Sequence, residues 1–168
     1  VTPISPDAKS VPADQVTSTV TADYGHFDPN GDSVLEGNVV IDQQGRQIRA
    51  DQIKIDKTQT YAKASGRVQM AQAGLLSQSD SINYNLKTQQ GDLSNSLYIA
   101  EQSHAHGSAA KIARTSEQTV ELENATYSTC PPGETPTWKI QANEIKLNQE
   151  TGRGETRGTK LYVKNVPV

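Results

Sequence analysis

From residue 16 onward, apolar and polar positions alternate with a period of two, and the alternation restarts at regular intervals. One unit recurs five times. It opens on a small residue, skips two positions, then places two marker residues two apart. The copies are Ala22…Gly25-His26-Phe27, Ala50…Ile53-Lys54-Ile55, Ser79…Ile82-Asn83-Tyr84, Ala109…Ile112-Ala113-Arg114 and Ala142…Ile145-Lys146-Leu147. In three copies an apolar residue (Val20, Ile48, Ile140) precedes the small one by two. A polar turn follows, then a second alternating run with Gly or Asn inside it. Those Gly/Asn positions are 37, 66, 95, 124 and 158, spaced by 29, 29, 29 and 34 residues. The longer last step carries an insertion, Cys130-Pro-Pro-Gly-Glu-Thr-Pro136. Fixed-period self-similarity of this kind marks a repeat architecture.

Period two argues strands, and turn signals separate the runs: Asp28-Pro-Asn-Gly-Asp32, Gln43-Gln-Gly45, Asp56-Lys-Thr58 and Gln149-Glu-Thr-Gly152. Each unit therefore reads as a β-hairpin of about 29 residues and the five together as roughly ten antiparallel strands. Ile48 and Ala50 share one parity while Ile53 and Ile55 take the other, and Ile140 and Ala142 against Ile145 and Leu147 repeat this. A flat strand would put half of them in water. A bulge or corner returns all of them inside, and Gly or Asn tolerates the backbone this needs. Bent strands that wrap two sheets round one interior make an all-β jelly-roll sandwich. The inward set predicted from this register is Ile53, Ile55, Val68, Met70, Ile82, Tyr84, Leu93, Leu97, Ile99, Ile112, Leu122, Ile140, Ile145 and Leu147. Residues 1–15, with three prolines and no period, read as a flexible lead-in to a single domain spanning 16–168.

Composition sharpens this picture. Leu, Ile, Val and Phe number 32 of 168 residues, low enough to raise disorder, but a net charge of −3 lacks the self-repulsion that disorder needs. Many inward positions are Ala, Ser, Gly or Thr, so the interior is expected to be only partly filled. A narrow apolar slot suits a long thin ligand. A pI near 5.6 gives no cationic field for nucleic acid. No apolar run approaches the roughly 20 residues of a membrane-spanning helix.

Catalytic and metal chemistry find no pattern. His104-Ala-His106 lacks further ligands. In Asp28-x-Asn30-x-Asp32 the glycine precedes the third would-be ligand rather than following it, which fits a hairpin turn better than a calcium loop. G-x-S-x-G does not occur. No enzyme, cofactor or metal site is expected. Cys130 is the single cysteine, placed in a loop between polar residues and prolines. An odd, exposed cysteine suggests a partner cysteine outside the chain, and Glu134 nearby would oppose its ionisation.

The stretch Asn124-Ala-Thr-Tyr-Ser-Thr-Cys130-Pro-Pro-Gly133, then Trp138 and Ala142-x-Glu144-x-x-Leu147, resembles the end of the periplasmic domain of outer-membrane lipopolysaccharide-assembly proteins. The unit from Arg49-Ala-Asp51 to Gly66-x-Val68 is similar to the OstA-like repeat of periplasmic lipopolysaccharide-transport proteins. The resemblance covers residues 16–168. It implies an OstA-type jelly roll that receives lipopolysaccharide from a periplasmic bridge protein of the same fold, joined edge to edge. Acyl chains would travel inside, lined by the inward set above, toward a C-terminal β-barrel and its lipoprotein plug. Neither lies in this chain. It also implies that Cys130 pairs with a cysteine outside the chain, and that the module works at the periplasmic face of the outer membrane of a Gram-negative bacterium. The first unit, Val16 to Asp23, is the expected docking edge. Alternatives are the soluble bridge protein itself, a structural stalk or adhesin with a solid core, and a carbohydrate-active enzyme, which the missing carboxylate pair disfavours. Arg114 and Lys160 stand where other units place apolar residues: either they lie at the edge of the slot or the face assignment slips there, and a snorkelling surface residue is preferred over a rim cation that meets a lipid phosphate.

Overall fold

The computed structural model describes residues 18–72, 74–88 and 90–168, so the expected lead-in at 1–15 and the start of the expected docking edge lie outside the described residues. Thirteen strands and no helix occur among the described residues. They are β1 (Ser18–Thr21), β2 (Tyr24–His26), β3 (Ser33–Gln43), β4 (Arg46–Ile55), β5 (Tyr61–Gln72), β6 (Leu75–Asn85) and β7 (Gly91–Ala100), followed by β8 (Ala105–Arg114), β9 (Thr119–Tyr127), β10 (Trp138–Asn148), β11 (Arg153–Arg157), β12 (Lys160–Val163) and β13 (Val166–Pro167). All pair antiparallel in one sheet, each long strand beside its sequence neighbour. β1 and β2 lie against the two ends of β3, and β11 and β12 against the two halves of β10. Counted as lines across the sheet, the ten strands read from the repeat are present. The outermost two lines are broken at their bends, and β13 is added at one edge.

All five Gly/Asn markers adopt left-handed backbone: Gly37 at φ 76°, Gly66 at 75°, Asn95 at 48°, Asn124 at 47° and Gly158 at 64°. The ladders slip beside the first two, between Glu36 and Val39, Arg49 and Gln52, and Ser65 and Val68. These slips in β3–β5 and the left-handed residues in β7, β9 and after β11 fall at matching levels along the strands. The consequence is visible at Arg46, which hydrogen-bonds the hydroxyl of Tyr84. Tyr84 is level with Ala62, and Ala62 with Ile55. In a flat sheet the nine residues from Arg46 to Ile55 would hold those levels about 30 Å apart. The sheet is therefore folded along its bend line into two facing walls, which makes the all-β jelly roll of the sequence reading.

Wall one carries a continuous buried row: Leu35, Ile53, Ala64, Ile82, Leu93, Ile112, Leu122 and Ile145, each cross-strand partner of the next. At the bend the walls converge and there is room only for small or β-branched side chains. Val39, Ala50, Val68, Ser79, Ser96, Ala109, Ala125 and Ala142 are all buried there. Burying each Ile, Leu or Val is worth about 1.5–3 kcal/mol, so these two rows hold the fold shut along its crease.

Candidate functional site

Between the walls lies an apolar slot. Its open end holds a cavity of about 120 Å³ lined by Ile48, Met70 and Leu75 from wall two and Ile82, Tyr84, Leu93, Ile112 and Val120 from wall one. Arg46 and Gln72 stand at one lip, and Arg114 and Gln149 at the other. Arg46 donates through Nε to Gln72 Oε1 at 3.0 Å and through Nη1 to Tyr84, and its guanidinium sits 5.3 Å from the Tyr84 ring centroid. This contact crosses from wall two to wall one and spans the mouth.

The structure places the predicted inward residues as follows. Ile53, Val68, Ile82, Leu93, Ile112, Leu122 and Ile145 are buried between the walls. Ile55, Met70, Tyr84 and Ile140 are half-buried, and the first three pack against the buried core. Leu97 and Ile99 are corrections: they lie on the outer face, 60% and 43% exposed. In β3 and β5 the bend uses two left-handed residues, Gly37-Asn38 and Gly66-Arg67, so the parity of Leu35 and Ala64 returns at Val39 and Val68. β7 uses Asn95 alone. One residue fewer reverses the parity, and Ser96 and Tyr98 turn inward in place of Leu97 and Ile99. Leu147 keeps the parity of Ile145 but is 37% exposed, since it lies in the outermost row beside Gly154, which has no side chain to cover it.

The register reading overlooked three groups. Tyr98 crosses Gly107 and donates its hydroxyl to the Thr126 carbonyl at 2.7 Å. Burial pushes its phenol well above the ordinary value. Ser77, its partner across β6 and β7, is buried with no hydrogen-bond partner for its hydroxyl. Arg46 shares parity with Ile48 and Ala50, a signal that pointed into the slot. Arg114 does line the slot, bonded to the carbonyls of Ser116 and Glu117 at 3.1 and 2.8 Å. Lys160 is exposed on β12.

Cys130 is half-buried rather than fully exposed, and its thiol is free. The Ser128 hydroxyl, with the Trp138 backbone behind it, holds its thiol below the ordinary value against the opposing effect of burial, and the opposition expected from Glu134 is not among the causes. The chain supplies no second cysteine, so the expected disulfide has no support within it. His104 sits in the turn before β8, and His106 Nε2 lies 2.7 Å from the Cys130 carbonyl oxygen. No cluster of three metal-ligating side chains occurs among the described residues.

The family model described as "LptA/(LptD N-terminal domain) LPS transport protein" matches residues 19–153. The LPS-assembly protein LptD of Acinetobacter baumannii is 70% identical over 168 residues, which is 100% of this chain and 20% of that protein. The LptD of Acinetobacter baylyi is 69% identical over the same length and shares. The LptD of Psychrobacter arcticus is 32% identical over 193 residues, covering 98% of this chain and 21% of its own. A solved structure, LptH, the LptA-homologous periplasmic component of the lipopolysaccharide transport device of Pseudomonas aeruginosa, aligns at a TM-score of 0.47 and 12% identity over 83% of this chain and 81% of its own. The chain thus spans about a fifth of the curated relatives it matches. With four-fifths of its length under the family model, the chain belongs to the LptA/(LptD N-terminal domain) LPS transport protein family.

Proposed function

We propose that this chain is a non-enzymatic lipid-transfer module for lipopolysaccharide transport and outer-membrane assembly, working on the periplasmic side of the outer membrane. Acyl chains occupy the slot between the walls while sugars stay in water. The observation that carries this reading is the unbroken apolar row across wall one, facing a second wall with an open mouth between them. A row that crosses all eight strands from β3 to β10 offers a continuous path transverse to the strands, as a solid stalk would not require. At about 120 Å³ the cavity is below the roughly 300 Å³ of ordinary ligand pockets, so the walls part to admit an acyl chain.

Both sheet edges support edge-to-edge assembly. Among the described residues β1 and β2 leave one side unpaired, as do β11 and β13 at the other end. Such edges accept an added strand through backbone hydrogen bonds. The β1 edge receives a bridge protein of the same fold, and the far edge faces the remainder of a longer assembly protein, including its barrel and plug lipoprotein. Family membership favours this reading over a stalk, an adhesin or a carbohydrate enzyme.

Photo-crosslinking tests it. Probes at Ile53, Val68, Ile82 and Ile112 should capture lipopolysaccharide, and probes at Lys54 and Gln69 on the outer face should not. Equal capture on both faces would remove the slot as the lipid path.

A further inference from the structure

We infer that Arg46 and Arg114 form a two-sided clamp for an anionic headgroup, so that the slot selects amphiphiles carrying phosphate over neutral ones with the same chains. This rests on the slot being the acyl-chain site. The two arginines come from opposite lips of one apolar cavity, and both are half-buried. Holding a guanidinium beside apolar surface without a counter-charge is unfavourable. Yet neither belongs to any of the four ion pairs among the described residues, which join Lys54 to Asp32, Arg67 to Asp51, Lys146 to Glu121 and Arg157 to Glu144. Their neighbours on the lips are the neutral Gln72 and Gln149.

A guanidinium has five N–H donors. Arg46 uses one on Gln72 and one on Tyr84, and Arg114 uses one each on the carbonyls of Ser116 and Glu117. Each keeps donors and a full charge for a further acceptor. The planar fork suits phosphate oxygens bidentately. The Arg46–Tyr84 contact spans the mouth that an acyl chain must enter. Phosphate gives Arg46 a charged partner in place of a neutral hydroxyl, so headgroup binding and release of the bridge are one exchange. A neutral lipid offers no such exchange and must break the bridge uncompensated.

The test uses this chain with two probes of identical acyl composition, diphosphoryl lipid A and its fully dephosphorylated form, with binding followed by native mass spectrometry and by displacement of a fluorescent fatty acid. Wild type should prefer the phosphorylated probe. Arg46→Gln and Arg114→Gln should each lower affinity for it about tenfold, as expected for loss of a charged hydrogen bond; the dephosphorylated probe should be weakened by neither and should bind Arg46→Gln somewhat more tightly, because the bridge it must otherwise break is gone. Arg49→Gln, on the outer face, controls for net charge. Inorganic phosphate competing as well as the lipid would assign the clamp to free phosphate and overturn the lipid assignment. Equal affinity for the two probes, or equal weakening of both by the variants, overturns the clamp and leaves the slot intact. Binding of neither probe to wild type overturns the slot reading and the clamp with it.

Discussion

The side-chain amide of Asn95 donates to Asp80 Oδ2 at 2.9 Å across the bend between β6 and β7. The same device recurs along the crease. Asn38 donates to Asp23 Oδ2 at 2.9 Å, and Arg67 reaches both oxygens of Asp51 at 2.6–3.1 Å. An acid on the incoming strand thus fixes a left-handed residue on the outgoing one. In the last unit Asn143 takes the acid's place against Gly158. The fourth unit has Ala110 in that position, leaving Asn124 to adopt its left-handed backbone without an acid on the strand before it.

Corner substitutions should therefore rank by backbone and space. Asn95→Ala puts a side chain with no local acceptor or donor at φ 48° and should cost about 1–2 kcal/mol. Asn95→Gly should be closer to wild type. Gly66→Ala should be worse than either, because a Cβ there would lie 2.6 Å from Asp51 Oδ2 and 2.8 Å from its Cβ at φ 75°. Urea unfolding checks the order. Gly66→Ala as stable as wild type would mean that the crease relaxes freely.

The parity reversal at Asn95 gives a second contrast. Ile53→Ala should lose about 2–5 kcal/mol, as buried aliphatic truncations do. Leu97→Ser, on the outer face, should stay within about 0.5 kcal/mol. Comparable losses at both sites would return Leu97 to the interior.

Much of this architecture was legible because the bend falls at the same place in every unit, where Gly37, Gly66, Asn95, Asn124 and Gly158 mark it in the sequence. How many residues turn left-handed at each bend was not legible. Arg67, at φ 43°, carries no sequence mark for that conformation, which Asp51 supports through a bidentate contact formed only after folding. The inward assignments therefore held through the two-residue bends and failed in β7. The slot mouth was hidden for a related reason. Arg46 and Tyr84 are 38 residues apart and meet only because the sheet folds back, a contact to which no local period points.

Ser77 and Tyr98 are cross-strand partners on the inner face of wall two, and their substitutions should move stability in opposite directions. The Ser77 hydroxyl is buried without a partner, so Ser77→Ala removes a desolvated polar group and should stabilise by about 1 kcal/mol. Tyr98→Phe removes the bond to the Thr126 carbonyl and leaves that oxygen unpaired, for a loss of about 1–3 kcal/mol. Because burial raises the Tyr98 phenol above its unfolded value of 10, the unfolded chain gives up its proton first as pH rises. Stability should then fall above pH 10 in wild type and less steeply in Tyr98→Phe. Thermal melts of the three proteins at neutral and alkaline pH provide the comparison. A destabilised Ser77→Ala would show that its hydroxyl has found a partner.

Asp56 contributes to the acid limb. Its carboxylate accepts from the Thr58 hydroxyl, from the Thr60 amide at 2.8 Å and from the Tyr61 amide at 2.7 Å. These bonds, the Thr58 hydroxyl first, hold it at about 2, against the usual 3.8. Between those values the unfolded chain binds more protons than the folded one, so stability rises with pH there. The contribution is complete above the unfolded value and is lost as pH falls through about 2. Asp32, bonded by Lys54, and Asp51, bonded by Arg67, shift in the same direction. Asp56→Ala should thus be less stable than wild type at neutral pH, with a gap that stays constant down to about pH 5 and narrows toward pH 2. Denaturant unfolding of both proteins at pH 6, 4, 3 and 2 measures that gap. Asp56→Asn keeps one acceptor oxygen but cannot titrate, so it should lie between the two at neutral pH. A gap between wild type and Asp56→Ala that is unchanged at pH 2 would mean that the turn is held by its backbone alone, with no part played by the carboxylate charge.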